Sequence, residues 1–274
     1  MSSEASVGGL VVCATPIGNL ADITLRVLNV LARADVLACE DTRHSRILLA
    51  HHGIRPAELL SYHEHNEPGR TTELIERMRA GARVALLSDA GMPLICDPGF
   101  HLVRASIEAS LPVQVLPGAS SPLCALVLSG LPVERFRFVG FLPRRRSELE
   151  HVLTRTAETL VAFESPRRLG STLALLAEHD STRVVAVCRE LTKRHEEVRR
   201  GAAGELAGHY GRQPPRGEVV LVVGQAPAQA AAIHDAVAAL RGLVAAGARA
   251  RPAAAAVGKL TGLSANELYR ELTR

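Results

Sequence analysis

Residues Arg83–Phe100 read RVALLSDAGMPLICDPGF. Val84–Leu87 is an unbroken apolar run, too short for most helices and suited to a strand buried on both faces of a parallel sheet. The run breaks at Ser88-Asp89-Ala90-Gly91, passes through Met92–Ile95 and breaks again at Asp97-Pro98-Gly99. Phe100–Ile107 follows with helical spacing. A strand, a polar Gly/Pro loop and a helix form the junction at which open α/β sheets hold ligands. Asp97, ahead of a proline, reads by itself as a helix cap. The whole loop is longer than a turn needs and reads as a ligand site.

The flanking sequence repeats that pattern. Gly9–Ala14 is an apolar strand ending in Thr15-Pro16-Ile17-Gly18-Asn19, and Asp22 is placed to cap a helix over Ile23–Ala34. Asp35–Cys39 is a strand ending in Glu40-Asp41-Thr42-Arg43, with a helix to His52 behind it. Leu59–Tyr62 is a short strand leading into His63-Glu64-His65-Asn66-Glu67, then a helix over Thr71–Arg79. Val113–Leu116 is a strand ending in Pro117–Ser121. Alternating strands and helices with short connections predict a mostly parallel, doubly wound sheet. Every polar cluster follows a strand, so all of them gather at one sheet edge.

From Phe136 the rhythm changes. Strands over Phe136–Leu142, Leu160–Phe163, Arg183–Cys188 and Val219–Val223 end in or begin at charged or glycine-containing clusters, and Glu197–Arg200 has the length of an edge strand. A second α/β layer with a mixed sheet is expected. Past Gly224 the chain turns to Ala, Arg and Gln. It predicts three helices, the last two split by Thr261-Gly262-Leu263, with Ser264 and Glu267 as a capping box. The expected domains are 1–119, 120–225 and a helix-turn-helix-like appendage over 226–274.

Composition bounds the rest. With 274 residues the chain suits two domains and a small appendage, and 3% aromatics with no Trp make the cores aliphatic. Net charge is +4, carried almost wholly by Arg, since Lys193 and Lys259 are the only lysines. That balance permits a polyanionic partner without requiring one. Cys13, Cys39, Cys96, Cys124 and Cys188 form neither a disulfide framework nor a zinc pattern. The N-terminal residues, MSSEASVGG, do not read as a signal peptide, and no apolar run spans a bilayer. A soluble, cytoplasmic protein without a metal is expected.

Eight clusters stand in order: TPIGNLADIT (Thr15–Thr24), EDTRHS (Glu40–Ser45), SDAGMPLICDPG (Ser88–Gly99), LPGASS (Leu116–Ser121), GFLPR (Gly140–Arg144), FESPRR (Phe163–Arg168), RELTK (Arg189–Lys193) and GEVVLVV (Gly217–Val223). Together they closely resemble the bacterial 16S ribosomal RNA 2′-O-ribose cytidine methyltransferase family. That family has the tetrapyrrole-methylase fold of the class III S-adenosylmethionine (SAM) enzymes. The resemblance implies an α/β protein of two α/β domains with SAM between them, a homodimer, and 16S rRNA or the 30S subunit as partner, methylated near the decoding centre. It implies SAM contacts at Thr15, Pro16, Asp89, Pro93, Leu94, Ile95, Ala119, Ser120 and Ser121. From the second domain, Phe163, Glu190, Gly217 and Glu218 are expected to close over it. A tetrapyrrole (precorrin or uroporphyrinogen) methyltransferase and a non-catalytic RNA-binding protein of the same fold are the alternatives.

A ribose hydroxyl needs a base as it attacks a methyl group. The candidates are Asp41, Glu40, His63, Glu190 and Lys193; Glu40 and Asp41 are equally readable as ion-pair partners of Arg43. His63 and His65 form H-x-H without a third ligand, so a metal is poorly supported. Glu67 reads as a solvated loop residue, and Glu164 beside arginines reads as structural. Arg43, Arg144, Arg145, Arg146, Arg167, Arg168, Lys193 and Arg194 are the candidate phosphate contacts. Phe141, Phe163 and Tyr62 are the candidates for stacking on bases.

Overall fold

The computed structural model describes residues 8–154, 157–226 and 228–273. The N-terminal MSSEASV stretch, read as no leader, and the expected end of a helix at Thr156 lie outside the described residues. The chain forms two compact units. One runs to Cys124 and includes Glu190–Glu196; the other comprises Ala125–Arg189 and the chain from Glu197 onward.

The first unit is a five-stranded parallel sheet with helices on both faces. Its elements are β1 (Gly9–Cys13), α1 (Leu25–Leu31), β2 (Val36–Cys39), α2 (Thr42–His51), β3 (Leu59–Ser61), α3 (Glu67–Arg79), β4 (Arg83–Leu87), α4 (Phe100–Glu108) and β5 (Val113–Leu116). The strand order is β3-β2-β4-β1-β5, every pairing is parallel, and β4 is central. Alternation along each strand feeds two cores. Leu10, Val12, Val36, Ala38, Val84 and Leu86 pack under α3 and α4 with Leu74, Met78 and Leu102. Cys13, Leu37, Cys39, Ala85 and Leu87 pack under α1 and α2 with Val27, Leu31 and Leu49. Each fully buried aliphatic side chain contributes about 1.5–3 kcal/mol. This two-sided burial is why the strands read as unbroken apolar runs.

Three local expectations are corrected. Thr24, not Asp22, caps α1, its hydroxyl accepting from Val27 N at 3.2 Å; Asp22 ends a short 3-10 turn. The third helix starts at Glu67 rather than Thr71. Pro68 then sits in its first turn, where a missing N–H costs nothing. Tyr62 is fully buried and therefore not available to stack on a base.

The second unit takes over within α5 (Ser121–Ser129), followed by β6 (Phe136–Phe141), α6 (Arg146–Thr154), β7 (Thr159–Glu164), α7 (Leu169–His179), β8 (Val184–Arg189), β9 (Glu197–Ala202), α8 (Ala203–Arg212) and β10 (Val219–Val223). The strand order is β6-β7-β10-β8-β9. Only β6 and β7 pair in parallel; the other pairings are antiparallel, giving the expected mixed sheet. One face packs on α6, α7 and α8 through Leu149, Leu173 and Leu206. On the other, Cys188 Sγ donates to Ala125 O in α5 at 3.8 Å. The C-terminal helices α9 (Ala228–Ala245), α10 (Ala250–Thr261) and α11 (Ala265–Thr273) hold their own small core around Leu240, Ala254 and Leu268. Ser264 Oγ accepts from Glu267 N at 3.4 Å, the near half of the capping box.

Candidate active site at the strand ends of the parallel sheet

Because all five strands of the first unit run the same way, their carboxyl ends share one edge. The loops after β1 and β4 are joined there by main chain. Thr15 N donates to Gly91 O at 2.8 Å and Gly91 N to Thr15 O at 3.1 Å. The Thr15 hydroxyl donates to Ser88 O at 3.2 Å and the Ser88 hydroxyl to Gly91 O at 2.9 Å. Gly91 has φ +80°, a backbone that side chains disfavour. These bonds tie into one lip two loops that the sequence marked separately as candidate ligand contacts.

Asp89 extends that lip to β2. Its Oδ1 accepts from Asp41 N at 3.0 Å, and its Oδ2 lies 3.3 Å from His44 Nδ1. Asp41 caps α2 by accepting from Arg43 N at 2.8 Å, and its carboxylate meets the Arg43 guanidinium at 2.6 Å. The hydrogen bonds from Arg43 hold the Asp41 carboxyl down at about 2. Glu40, one residue earlier, is different. Burial first, then the charges of Asp89 and Glu64, push its carboxyl above the ordinary range. No hydrogen bond or ion pair engages it among the described residues. Glu40, Asp41, Thr42, Arg43, Ser61, His63 and Asp89 line an open depression of about 420 Å³.

The β3 end supplies the wall around His63. Asn66 Oδ1 accepts from His63 N at 2.9 Å and its amide donates to Ser61 O at 3.1 Å. That orientation points an Asn66 N–H at His63 Nε2, 3.2 Å away. His63 Nδ1 is buried without a partner among the described residues.

Two acids contradict their sequence reading. Glu67 is buried, not solvated. It accepts from the Tyr62 hydroxyl at 2.9 Å and from Gly99 N at 3.2 Å, so Glu67 supplies the acceptor at the start of α4. Asp97 is not that cap, since Gly99 occupies the cap position with φ +132°. Burial, then Glu40, then Asp89 push the Asp97 carboxyl up to about 7. Glu67 and Asp97 were missed as site-builders because the groups that act on them, Gly99 for Glu67 and Glu40 and Asp89 for Asp97, lie on other elements.

The remaining candidates separate by unit. The Glu190–Lys193 part of the RELTK turn belongs to the first unit, not the second. Thr192 Oγ1 accepts from Asn19 N at 3.0 Å, and a Cβ on Gly18 would meet Lys193 Cγ at 2.5 Å. Lys193 pairs with Glu190 at 3.0 Å, and Arg194 is exposed. The β5 end is open, with Ala119, Ser120 and Ser121 half-buried. The hydroxyls of both serines are unengaged among the described residues. In the second unit, Phe163 sits 5.2 Å from the exposed Phe141, and Gly217-Glu218 lead into β10. Arg144, Arg145 and Arg167 follow the parallel pair β6 and β7 on one edge and are exposed; Arg146 pairs with Glu178 at 2.5 Å. Arg168 instead turns inward, donating to Leu142 O at 3.2 Å and pairing with Glu164 at 3.5 Å. Among the described residues no cluster of three His, Cys, Asp or Glu could hold a metal ion.

Residues 9–207 match the tetrapyrrole (corrin/porphyrin) methylases. The chain belongs to that family, and within it to the small-subunit ribosomal RNA methyltransferase I proteins. The ribosomal RNA small subunit methyltransferase I of Mesorhizobium japonicum is 47% identical over 96% of this chain and 90% of its own length. The protein of that name from Escherichia coli O157:H7 is 39% identical over 98% of this chain and 96% of its own. Among solved structures, the uroporphyrin-III C-methyltransferase of Thermus thermophilus is 25% identical, with a TM-score of 0.56 over 83% of this chain and 97% of its own.

Proposed function

We propose that this chain is a SAM-dependent methyltransferase acting on the 2′ oxygen of a cytidine ribose in small-subunit ribosomal RNA, near the decoding centre. The observation that carries it is 47% identity, over nearly the whole of both chains, to a ribosomal RNA small subunit methyltransferase I. The likeness to the uroporphyrin enzyme is far lower, 25%, and the tetrapyrrole substrate falls behind accordingly.

The first unit suits the cofactor. The unengaged Ser120 and Ser121 hydroxyls at the start of α5, the small residues Gly118 and Ala119, and the bonded Thr15–Gly91 lip leave backbone and hydroxyl groups free to contact a polar ligand. Thr15, Pro16, Asp89, Pro93–Ile95 and Ala119–Ser121 would hold SAM, with Phe163, Glu190, Gly217 and Glu218 as further contacts. SAM supplies a methyl group already activated on a sulfonium. The protein's share is alignment of the hydroxyl with that methyl, which in well-oriented systems contributes about 7–11 kcal/mol. Arg43, Arg144, Arg145, Arg167 and Arg194 would hold phosphates, as exposed guanidiniums do without reading sequence.

The natural substrate is then 16S rRNA or the 30S subunit, the location the cytoplasm and the assembly a homodimer. No described helix is long and apolar enough to cross a membrane. Mass mapping of ribose methylation on 16S rRNA from a strain lacking the protein is expected to show one cytidine losing its methyl group. An unchanged map defeats the substrate, and absence of SAM binding at millimolar ligand by calorimetry defeats the enzyme.

A further inference from the structure

The acids at the strand ends of the first sheet differ in what already holds them. Asp41 is gripped by Arg43. Asp89 is spent on Asp41 N and His44, Glu67 on Tyr62 and the start of α4, and Glu190 on Lys193. Glu64 is exposed and outside the depression. Glu40 and Asp97 are left without a hydrogen-bond or ion-pair partner among the described residues, and only Glu40 lines the depression. His63 lines it too, but its Nε2 is engaged by the Asn66 amide at 3.2 Å and its Nδ1 is buried.

We propose that Glu40 is the general base that accepts the 2′-hydroxyl proton during methyl transfer; this rests on the ribose-methylation reading above. The 2′ oxygen gives its proton to the Glu40 carboxylate and forms a bond to the methyl carbon. The electron pair of the broken carbon–sulfur bond stays on sulfur, which becomes a neutral thioether. The surroundings make Glu40 a stronger base than a solvated glutamate. The charged groups that act on it are Asp41 at the start of α2, His63 and Glu64 after β3, and Asp89 and Asp97 after β4; Arg43 and His44 are engaged by Asp41 and Asp89. Burial and the like charges of Asp89 and Glu64 raise its proton affinity, and a base nearer the working pH transfers the proton more readily. Asp41, held at about 2 by Arg43, is too weak for the role.

The test is Glu40→Gln, a substitution that keeps shape and relieves repulsion in an acidic cluster. Expected is a single-turnover rate constant ~10²–10⁴-fold lower near neutral pH, with SAM and RNA affinities unchanged by calorimetry and filter binding. The acidic limb of the rate-against-pH profile disappears in this variant, while Glu40→Asp keeps the limb at a reduced rate. Independently of turnover, carbon-13 NMR of carboxyl-labelled glutamates in the wild-type protein should show one resonance titrating above the ordinary glutamate range and missing from Glu40→Gln. A glutamine variant at wild-type rate, a retained acidic limb, or an ordinary titration of that resonance overturns the proposal. A wild-type protein that transfers no methyl to small-subunit RNA removes the functional reading and the base together. An active wild type with an equally active variant removes the base alone.

Discussion

Glu40 follows β2 and Glu164 ends β7, each at the carboxyl end of a strand in a five-stranded sheet, and the two sheets treat them differently. Glu164 is almost wholly buried. It accepts from Ser165 N at 2.7 Å and from the Thr172 hydroxyl at 2.5 Å, with Arg168 at 3.5 Å. Glu40 has no such partner among the described residues. The segment after each strand makes the difference: Ser165, Arg168 and Thr172 turn back onto Glu164, whereas nothing after β2 bonds Glu40 among the described residues. Strand direction adds a second contrast. In the parallel sheet every strand end arrives at one edge, so Glu40, Asp89 and Asp97 crowd together with like charge. In the mixed sheet an antiparallel neighbour brings a strand start beside a strand end. Arg189 at the end of β8 thus faces Glu197 at the start of β9, and the two pair at 3.1 Å. One arrangement concentrates uncompensated charge, which is what a site needs; the other neutralises it locally.

The sharpest way to break this contrast is Glu164→Ala. It leaves the Thr172 hydroxyl, Ser165 N and Arg168 without their acceptor, and the expected loss is about 3–5 kcal/mol, read as a lower midpoint in urea denaturation. A loss under 1 kcal/mol would mean that the charges of the second sheet are no more structural than those of the first.

Asp97→Asn probes the other side. The Asp97 carboxyl is raised to about 7, so the folded protein binds its proton more tightly than the unfolded chain. The stability tied to this group is fully present below the ordinary aspartate range and is lost as pH rises through about 7. Asparagine carries no charge to repel Glu40 and Asp89. The variant should match wild type near pH 4 and exceed it at pH 8. Discounted for partial exposure, the gain is about 1 kcal/mol, or roughly 2–4 °C in Tm, measurable by calorimetry at the two pH values. Equal melting at both would show that Asp97 is not crowded by its neighbours.

The smallest effect on the fold is expected for Arg145→Ala. Its partner Glu148 lies 3.2 Å away, and the arginine side chain is 83% exposed, so stability should change by less than about 1 kcal/mol. RNA binding should weaken alike across sequences, and its salt slope should drop by about 1. An unchanged slope removes Arg145 from the phosphate contacts.

Much of the fold was legible because two-sided burial writes itself as apolar runs: β10 was bounded from sequence, and β1 and β4 to within one residue. The clusters at the strand ends were legible for the same reason. Residue roles within them were less so. Asp97 carried the local signature of a cap, and only contact with α3 showed Glu67 filling that role from thirty residues away. Glu67 sat in a polar string that reads as solvent-facing until Tyr62 folds over it. Arg167 and Arg168 are neighbours of identical type, yet one is exposed and the other bonds the β6–α6 loop, a choice set by which direction the chain faces as it enters α7.

The stretch from Arg83 to Phe100 shows where that line falls. Its sequence determined a buried strand, a polar loop and a helix, because burial and backbone preference act over a few residues. The assignment of its two carboxylates belonged to the tertiary structure. Asp89 braces the β2–α2 junction, and Asp97 shares an acidic corner with Glu40. Hydrogen bonds and like-charge repulsion depend on which strands the sheet order makes neighbours, and β2 meets β4 only after the chain has folded.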